Sequence, residues 1–181
     1  MSSRIQLASG AMFDLLNPDP SVITIDVIAH ALSRICRFTG HVSTAHYSVA
    51  EHSVRVSWLV PDHDAREGLL HDAAEAFVGD VAAPLKRLLP DYQAIEKRVE
   101  LAVAERFGLL YPWPLSVKEA DIDMLRLEAV TFMRPEGIPD WAPVLARKPV
   151  RFEQDWQGQL GWGYVRALET FIDRAKELGI R

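Results

Sequence analysis

Apolar residues recur at helical spacing through most of this chain. Ile25, Ile28, Leu32 and Ile35 form a stripe with Asp26 in the first turn, which predicts a helix over Ile25–Arg37, closed off at Gly40. Tyr47–Val60, stopped by Pro61, and Asp64–Phe77, stopped at Gly79, predict the next two helices. Pro84–Leu89 predicts a short helix ended by Pro90, and Asp91–Phe107 a long amphipathic one with Gly108 at its C-terminal side. Ser116–Met133 predicts another, with Ser116 and Glu119 in a capping-box pattern, and Gly161–Leu178 predicts the last. Two short extended runs, Ile5–Leu7 and Ala11–Phe13 around Ser9-Gly10, predict a small hairpin. Asn17–Ser21 is rich in turn residues, and prolines make Pro135–Pro149 mostly irregular. The pattern is that of an all-α protein with a small N-terminal β-hairpin. It contains no repeat, linker or low-complexity segment, so residues 1–181 are expected to form one domain.

Within this pattern, a few polar residues occupy positions whose neighbours predict burial. His71, Asp72 and Glu75 lie in Gly68-Leu-Leu-His-Asp-Ala-Ala-Glu-Ala-Phe77. Burying even an uncharged polar group unpaired costs roughly 2–7 kcal/mol. A divalent cation would compensate an imidazole and two carboxylates together. His52 lies upstream in Ser48-Val-Ala-Glu-His-Ser-Val54, and Asp121 downstream in Lys118-Glu-Ala-Asp-Ile122. Two His and two Asp on three predicted helices are a plausible ligand set for one ion. Residues three and four apart on a helix are neighbours, about 5–6 Å apart at Cβ. A cation that meets His71 and Asp72 directly therefore leaves Glu75 close to its water. His and carboxylate donors suit Mn, Co, Fe, Ni or Zn better than a lone Mg. An incompletely filled shell leaves room for water, whose pKa the metal lowers, and a nearby carboxylate can take or return its proton. A single His among apolar residues is more often a satisfied core residue. The combination across three segments is what points to a site.

Composition sets the limits on partners. The chain has 181 residues, 49% hydrophobic and 25% charged, as in an ordinary soluble globular protein. A net charge of −5 argues against polymeric nucleic acid as partner, so a small anionic ligand needs local cations or a metal. No stretch approaches about 18 consecutive apolar residues, so no membrane span is expected. No signal peptide is expected either. Cys36 has no internal disulfide partner and is expected to pack in a helix, consistent with a reducing, cytoplasmic location.

The order His, His-Asp, Asp on successive helices resembles the HD superfamily of metal-dependent phosphohydrolases. The likeness extends to Arg37, Tyr47-Ser-Val-Ala-Glu-His-Ser53, Leu69-Leu-His-Asp-Ala-Ala-Glu75, Gly79-Asp80, Pro84-Leu-Lys86 and Glu119-Ala-Asp121. These look like the bacterial 5′-deoxynucleotidases and their small phage relatives, among them dATP triphosphohydrolases. The resemblance implies an HD helical bundle with His52, His71, Asp72 and Asp121 holding Co, Mn or Zn. Glu75 would orient or deprotonate the attacking water, and Asp80 would hold the sugar 3′-hydroxyl and help position that water. Arg37 would bind phosphate with its fork of donors, and Phe38 would favour a 2′-deoxy carbon. Ala83 stands where the bacterial enzymes have a hydroxyl residue, and the stretch between His52 and His71 is shorter than theirs. Both departures move the match toward the phage branch, which implies dATP as substrate and, for a phage-encoded chain, the host cytoplasm. Relatives imply a homo-oligomer, dimer or hexamer.

Release of phosphate from deoxynucleoside monophosphates is the alternative activity, and a nucleotide-binding HD module with little turnover is the second. A structural all-α protein would leave the polar cluster unexplained. For a triphosphate, Lys86 and His41 are expected at the β- and γ-phosphates, with a second cation, Mg, capping the tail. His46 is a weaker phosphate candidate. His30 is expected to pack and His63 to be exposed. The five Trp read as core or oligomer contacts, and Glu96, Glu100 and Glu105, alternating with basic residues, as a solvated helix face.

Overall fold

A computed structural model describes residues 2–156 and 158–181. Strands β1 (Arg4–Gln6) and β2 (Met12–Asp14) pair antiparallel with Ile5 opposite Phe13. A hairpin this short is marginal alone. It is held by Phe13, fully buried, with its ring stacked 4.3 Å from that of Phe77. The other named elements among the described residues are helices, as the apolar spacing predicts.

Helix α1 (Ile25–Leu32) is capped by Thr24, whose hydroxyl accepts the Val27 N–H at 3.2 Å. It ends at Leu32, short of the predicted Arg37. Beyond it, the Arg37 N–H donates to the Tyr47 carbonyl at 2.9 Å, and the Val49 N–H to that of Ile35 at 3.0 Å. Cys36 thus bridges antiparallel to Ser48 and is half-buried outside any helix. Ile35 still packs against the core, so the apolar spacing outlasts the helix itself.

Helix α2 (Val49–Leu59) is the central element: all residues from Val49 to Ser57, polar and apolar alike, are buried. Around it pack α3 (Ala65–Leu70), α7 (Leu115–Phe132), α10 (Gly163–Glu177) and α1. Between α2 and α7 come also α4 (Glu75–Val78), α5 (Ala83–Lys86) and α6 (Pro90–Phe107). Two short helices, α8 (Ala142–Leu145) and α9 (Glu153–Trp156), lie in the proline-rich stretch and after it. One buried cluster runs through Phe13, Ile28, Leu70, Val103 and Phe171. A second joins Val56, Val60, Met124, Leu127 and Trp156.

Three further expectations are corrected. The predicted helix over Asp64–Phe77 is interrupted: α3 ends at Leu70 and α4 begins at Glu75. Across the gap, the Ala73 N–H bonds to the Leu70 carbonyl and the Glu75 N–H to that of Asp72, each at 3.0 Å. These bonds to the third residue back wind the chain more tightly than an α-helix. Ser116 is not a cap, because α7 already starts at Leu115 and the Ser116 hydroxyl donates to Asp64. His30 is exposed, not packed, while His63 is exposed as expected. No helix among the described residues is long and apolar enough to cross a membrane.

Candidate metal centre

Gly68 determines how closely α3 approaches α2. A Cβ at this position would stand 3.0 Å from Val60 Cγ2 and 3.1 Å from Ser57 Cα. Without one, α3 packs close against the C-terminal end of α2, and the turn that follows leaves His71 Nε2 facing His52 Nε2. The Gly68 carbonyl also accepts a hydrogen bond from His71 Nδ1 at 2.9 Å.

His52 is fully buried and His71 nearly so. The partners of their Nδ1 atoms settle the ring orientation. His71 Nδ1 faces a carbonyl oxygen, and His52 Nδ1 lies 2.6 Å from Glu128 Oε1. Both partners only accept, so both Nδ1 atoms carry a proton, and in the neutral rings both Nε2 atoms present lone pairs to the same space. Around His52 Nε2 lie His71 Nε2 at 3.4 Å, Asp72 Oδ2 at 3.6 Å and Asp121 Oδ1 at 3.2 Å. Asp72 Oδ2 is also 3.3 Å from His71 Nε2. Donors about 2.0–2.2 Å from a common ion stand roughly 3–3.5 Å apart. His52, His71 and Asp72 each place one ligand atom within 4.8 Å of the others, and this cluster could hold a metal ion. Asp121 adds a fourth donor atom beside His52 Nε2, its side chain 42% exposed.

The local field is that of a cation site. Burial and Arg37 push His52 toward its neutral form, yet Glu128 and Asp121 outweigh them and raise its pKa to about 9. His71 is opposed by burial and raised chiefly by Asp72. Asp72 is opposed by burial and held well below the usual carboxylate range by His71, His52 and Arg37.

Glu128 is the residue that sequence reasoning missed. It is fully buried and takes four hydrogen bonds. Oε1 accepts from Tyr47 Oη at 2.7 Å and His52 Nδ1 at 2.6 Å, while Oε2 accepts from Arg37 Nε at 3.2 Å and Nη2 at 3.0 Å. A signal was present: Glu128 lies two helical turns after Asp121, on the same face of α7, between Leu127 and Ala129. Arg37 therefore spends two nitrogens on Glu128. Its Nη1 stands 3.5 Å from Asp72 Oδ2, facing the cluster.

Glu75 is buried at the N-terminus of α4, and its Oε2 has no hydrogen-bond partner among the described residues. Burial, then repulsion from Asp72 and Asp80, raises its pKa well above the ordinary value. Asp80 follows Gly79, whose φ of 83° turns the chain in a conformation that side chains disfavour. It is half-buried, with its pKa raised by burial and Asp72 against the pull of Arg37.

The other predicted residues divide. Phe38 is half-buried, with the Arg37 guanidinium carbon 5.6 Å from its ring centre. Phe38 and Thr39 both have left-handed backbones, φ 56° and 54°, a strained conformation for a β-branched residue. His41 is exposed, and its side chain makes no hydrogen bond or ion pair among the described residues. His46 Nε2 bonds to the Ser33 carbonyl at 2.8 Å, tying the loop to the end of α1. Lys86 Nζ is 2.7 Å from Glu96 Oε1. Glu96 is buried and also lies 3.2 Å from Tyr92 Oη, which corrects the reading of a solvated face at that residue, while Lys97, Arg98 and Glu105 are exposed as expected. Trp156 and Trp162 flank the buried Arg55, 4.8 and 4.5 Å from its guanidinium carbon.

No protein-family profile matches the chain. It is similar to the uncharacterized protein YfdR of Escherichia coli, 48% identical over 151 residues that cover 81% of this chain and 81% of that one. An uncharacterized protein of Rhodobacter capsulatus is 38% identical over 163 residues, 78% of this chain and 82% of its own. Over a shorter stretch, the chain is 27% identical to a 5′-deoxynucleotidase of Vibrio atlanticus, across 86 residues that cover 39% of this chain and 44% of the enzyme.

Proposed function

The chain belongs to the same family as YfdR of Escherichia coli, and we propose that it is a metal-dependent phosphohydrolase of the HD superfamily that releases phosphate from 2′-deoxynucleoside 5′-monophosphates. The observation that carries this reading is the convergence on His52 Nε2 of His71 Nε2, Asp72 Oδ2 and Asp121 Oδ1, each 3.2 to 3.6 Å from it. His52, His71, Asp72 and Asp121 would hold a divalent transition metal. When bound, the ion supplies Lewis-acid polarisation and acidifies water.

The reaction adds water to phosphorus and breaks its bond to the nucleoside 5′-oxygen. The hydroxide goes to phosphorus and the proton to the leaving oxygen, giving deoxynucleoside and phosphate. Glu75 suits the proton transfer, since its buried Oε2 has no partner among the described residues and its field favours holding a proton. Arg37 Nη1 is positioned to meet a phosphate oxygen beside Asp72. Phe38 offers an apolar wall to the sugar, which leaves a 2′-hydroxyl unpaired.

Charge favours the monophosphate over the dATP that the phage likeness implies. Two donors of Arg37 are held by Glu128 and Lys86 is held by Glu96, so few cationic groups are left for a tail of about four negative charges. The weak likeness to a 5′-deoxynucleotidase supports the same choice.

The test is product identification by mass after incubation with each dNMP, dNTP and NMP plus Mn or Co. Deoxynucleoside and phosphate from dNMPs, with NMPs about 10²-fold slower, is the expected result. Triphosphate released from dATP, with dAMP untouched, would replace this reading by the triphosphohydrolase. Metal and nucleotide binding without turnover would leave a binding module.

A further inference from the structure

We infer that Glu128 and Tyr47 are positioning residues that set the metal affinity of His52 and the direction of Arg37. This rests on the metal-site reading above. A carboxylate buried without partners is costly, and Glu128 avoids that cost by accepting from three side chains at once. Each bond has a distinct consequence. The short contact to His52 Nδ1 keeps the proton on that nitrogen, so Nε2 faces the cluster as a lone pair; a carboxylate in this place also makes the imidazole a stronger donor. The paired contacts from Arg37 fix the guanidinium plane and leave Nη1 on the side of Asp72. Tyr47 Oη donates to the same oxygen as His52, at 2.7 Å, which holds the carboxylate in the plane that serves both partners.

These contacts join three parts of the chain, the segment after α1, the start of α2 and the second half of α7. Glu128 is 76 residues from His52 and 91 from Arg37. The ligand and the phosphate-facing donor therefore share one support, and a change there should disturb both.

The experiment measures Mn or Co affinity by chelator competition, without substrate, in the full chain and in Glu128→Gln and Tyr47→Phe. Glutamine keeps the shape but offers one acceptor oxygen in place of two. Affinity should fall about 10–100-fold in Glu128→Gln and by less in Tyr47→Phe. The KM for a dNMP should rise in Glu128→Gln when the metal is saturating, an effect not expected from lost packing alone. Should Glu128→Gln fail to fold, the histidine ¹⁵N spectrum of the parent protein decides: His52 must carry its proton on Nδ1. Unchanged affinity in a folded Glu128→Gln protein, or a proton on His52 Nε2 in the metal-loaded parent, would overturn the inference. A parent protein that binds neither ion would overturn the metal-site reading, a separate result.

Discussion

His52 Nε2 and His71 Nε2 stand 3.4 Å apart, and when both rings are neutral neither has a proton to offer the other. Two lone pairs facing at this distance repel, and the carboxylates of Asp72 and Asp121 beside them add negative potential. A cation resolves all of these conflicts together.

Asp121 is the most exposed of the four proposed ligands, so its contribution is the one most open to test. Asp121→Ala should lose bound transition metal, measured by elemental analysis after dialysis, and should lose turnover with it. Full occupancy in this variant would remove Asp121 from the set.

Glu75 joins a buried oxygen without a partner among the described residues to a proposed chemical role. Glu75→Gln removes a carboxyl that burial disfavours in its charged form. The melting temperature should hold or rise, metal should stay bound, and kcat should fall roughly 10²–10⁴-fold. A variant with near-normal kcat would make Glu75 a purely structural residue.

Gly68→Ala tests the geometry through the backbone. The new methyl would meet Val60 Cγ2 and the main chain at Ser57, driving α3 away from α2. Urea unfolding should report a loss of about 1–3 kcal/mol, typical of overpacking. Metal affinity should drop as well, because the same movement separates His71 from His52. Parent-like stability and affinity together would show that the close approach is unimportant.

Arg55 and Glu51 form a buried ion pair on α2, with Nη2 2.9 Å from Oε1. Glu51 also accepts the N–H groups of Gly161 and Trp162. Arg55→Met should cost about 3–5 kcal/mol, because it strands a buried carboxylate. Adding Glu51→Gln should recover part of that loss, as expected for directly coupled residues. If the two losses simply add in chemical denaturation, the pair is not coupled.

Helix periodicity in the sequence was enough to find α1, α2, α3, α6, α7 and α10, and the hairpin followed from two short extended runs. The residues of the cluster were also legible, because His52, His71, Asp72, Glu75 and Asp121 are polar positions in apolar surroundings. Both signals are local: they report that a position is buried, or that a burial is costly. Neither reports which distant group compensates. Only the tertiary structure brought Glu128 to His52 and Arg37, committed Lys86 to a buried Glu96, ended α1 at Leu32 through backbone pairing with the segment before α2, and tightened the chain between Leu70 and Glu75. Ion pairs and backbone bridges depend on spatial neighbours tens of residues apart, and hydrophobic spacing along one helix carries no record of them.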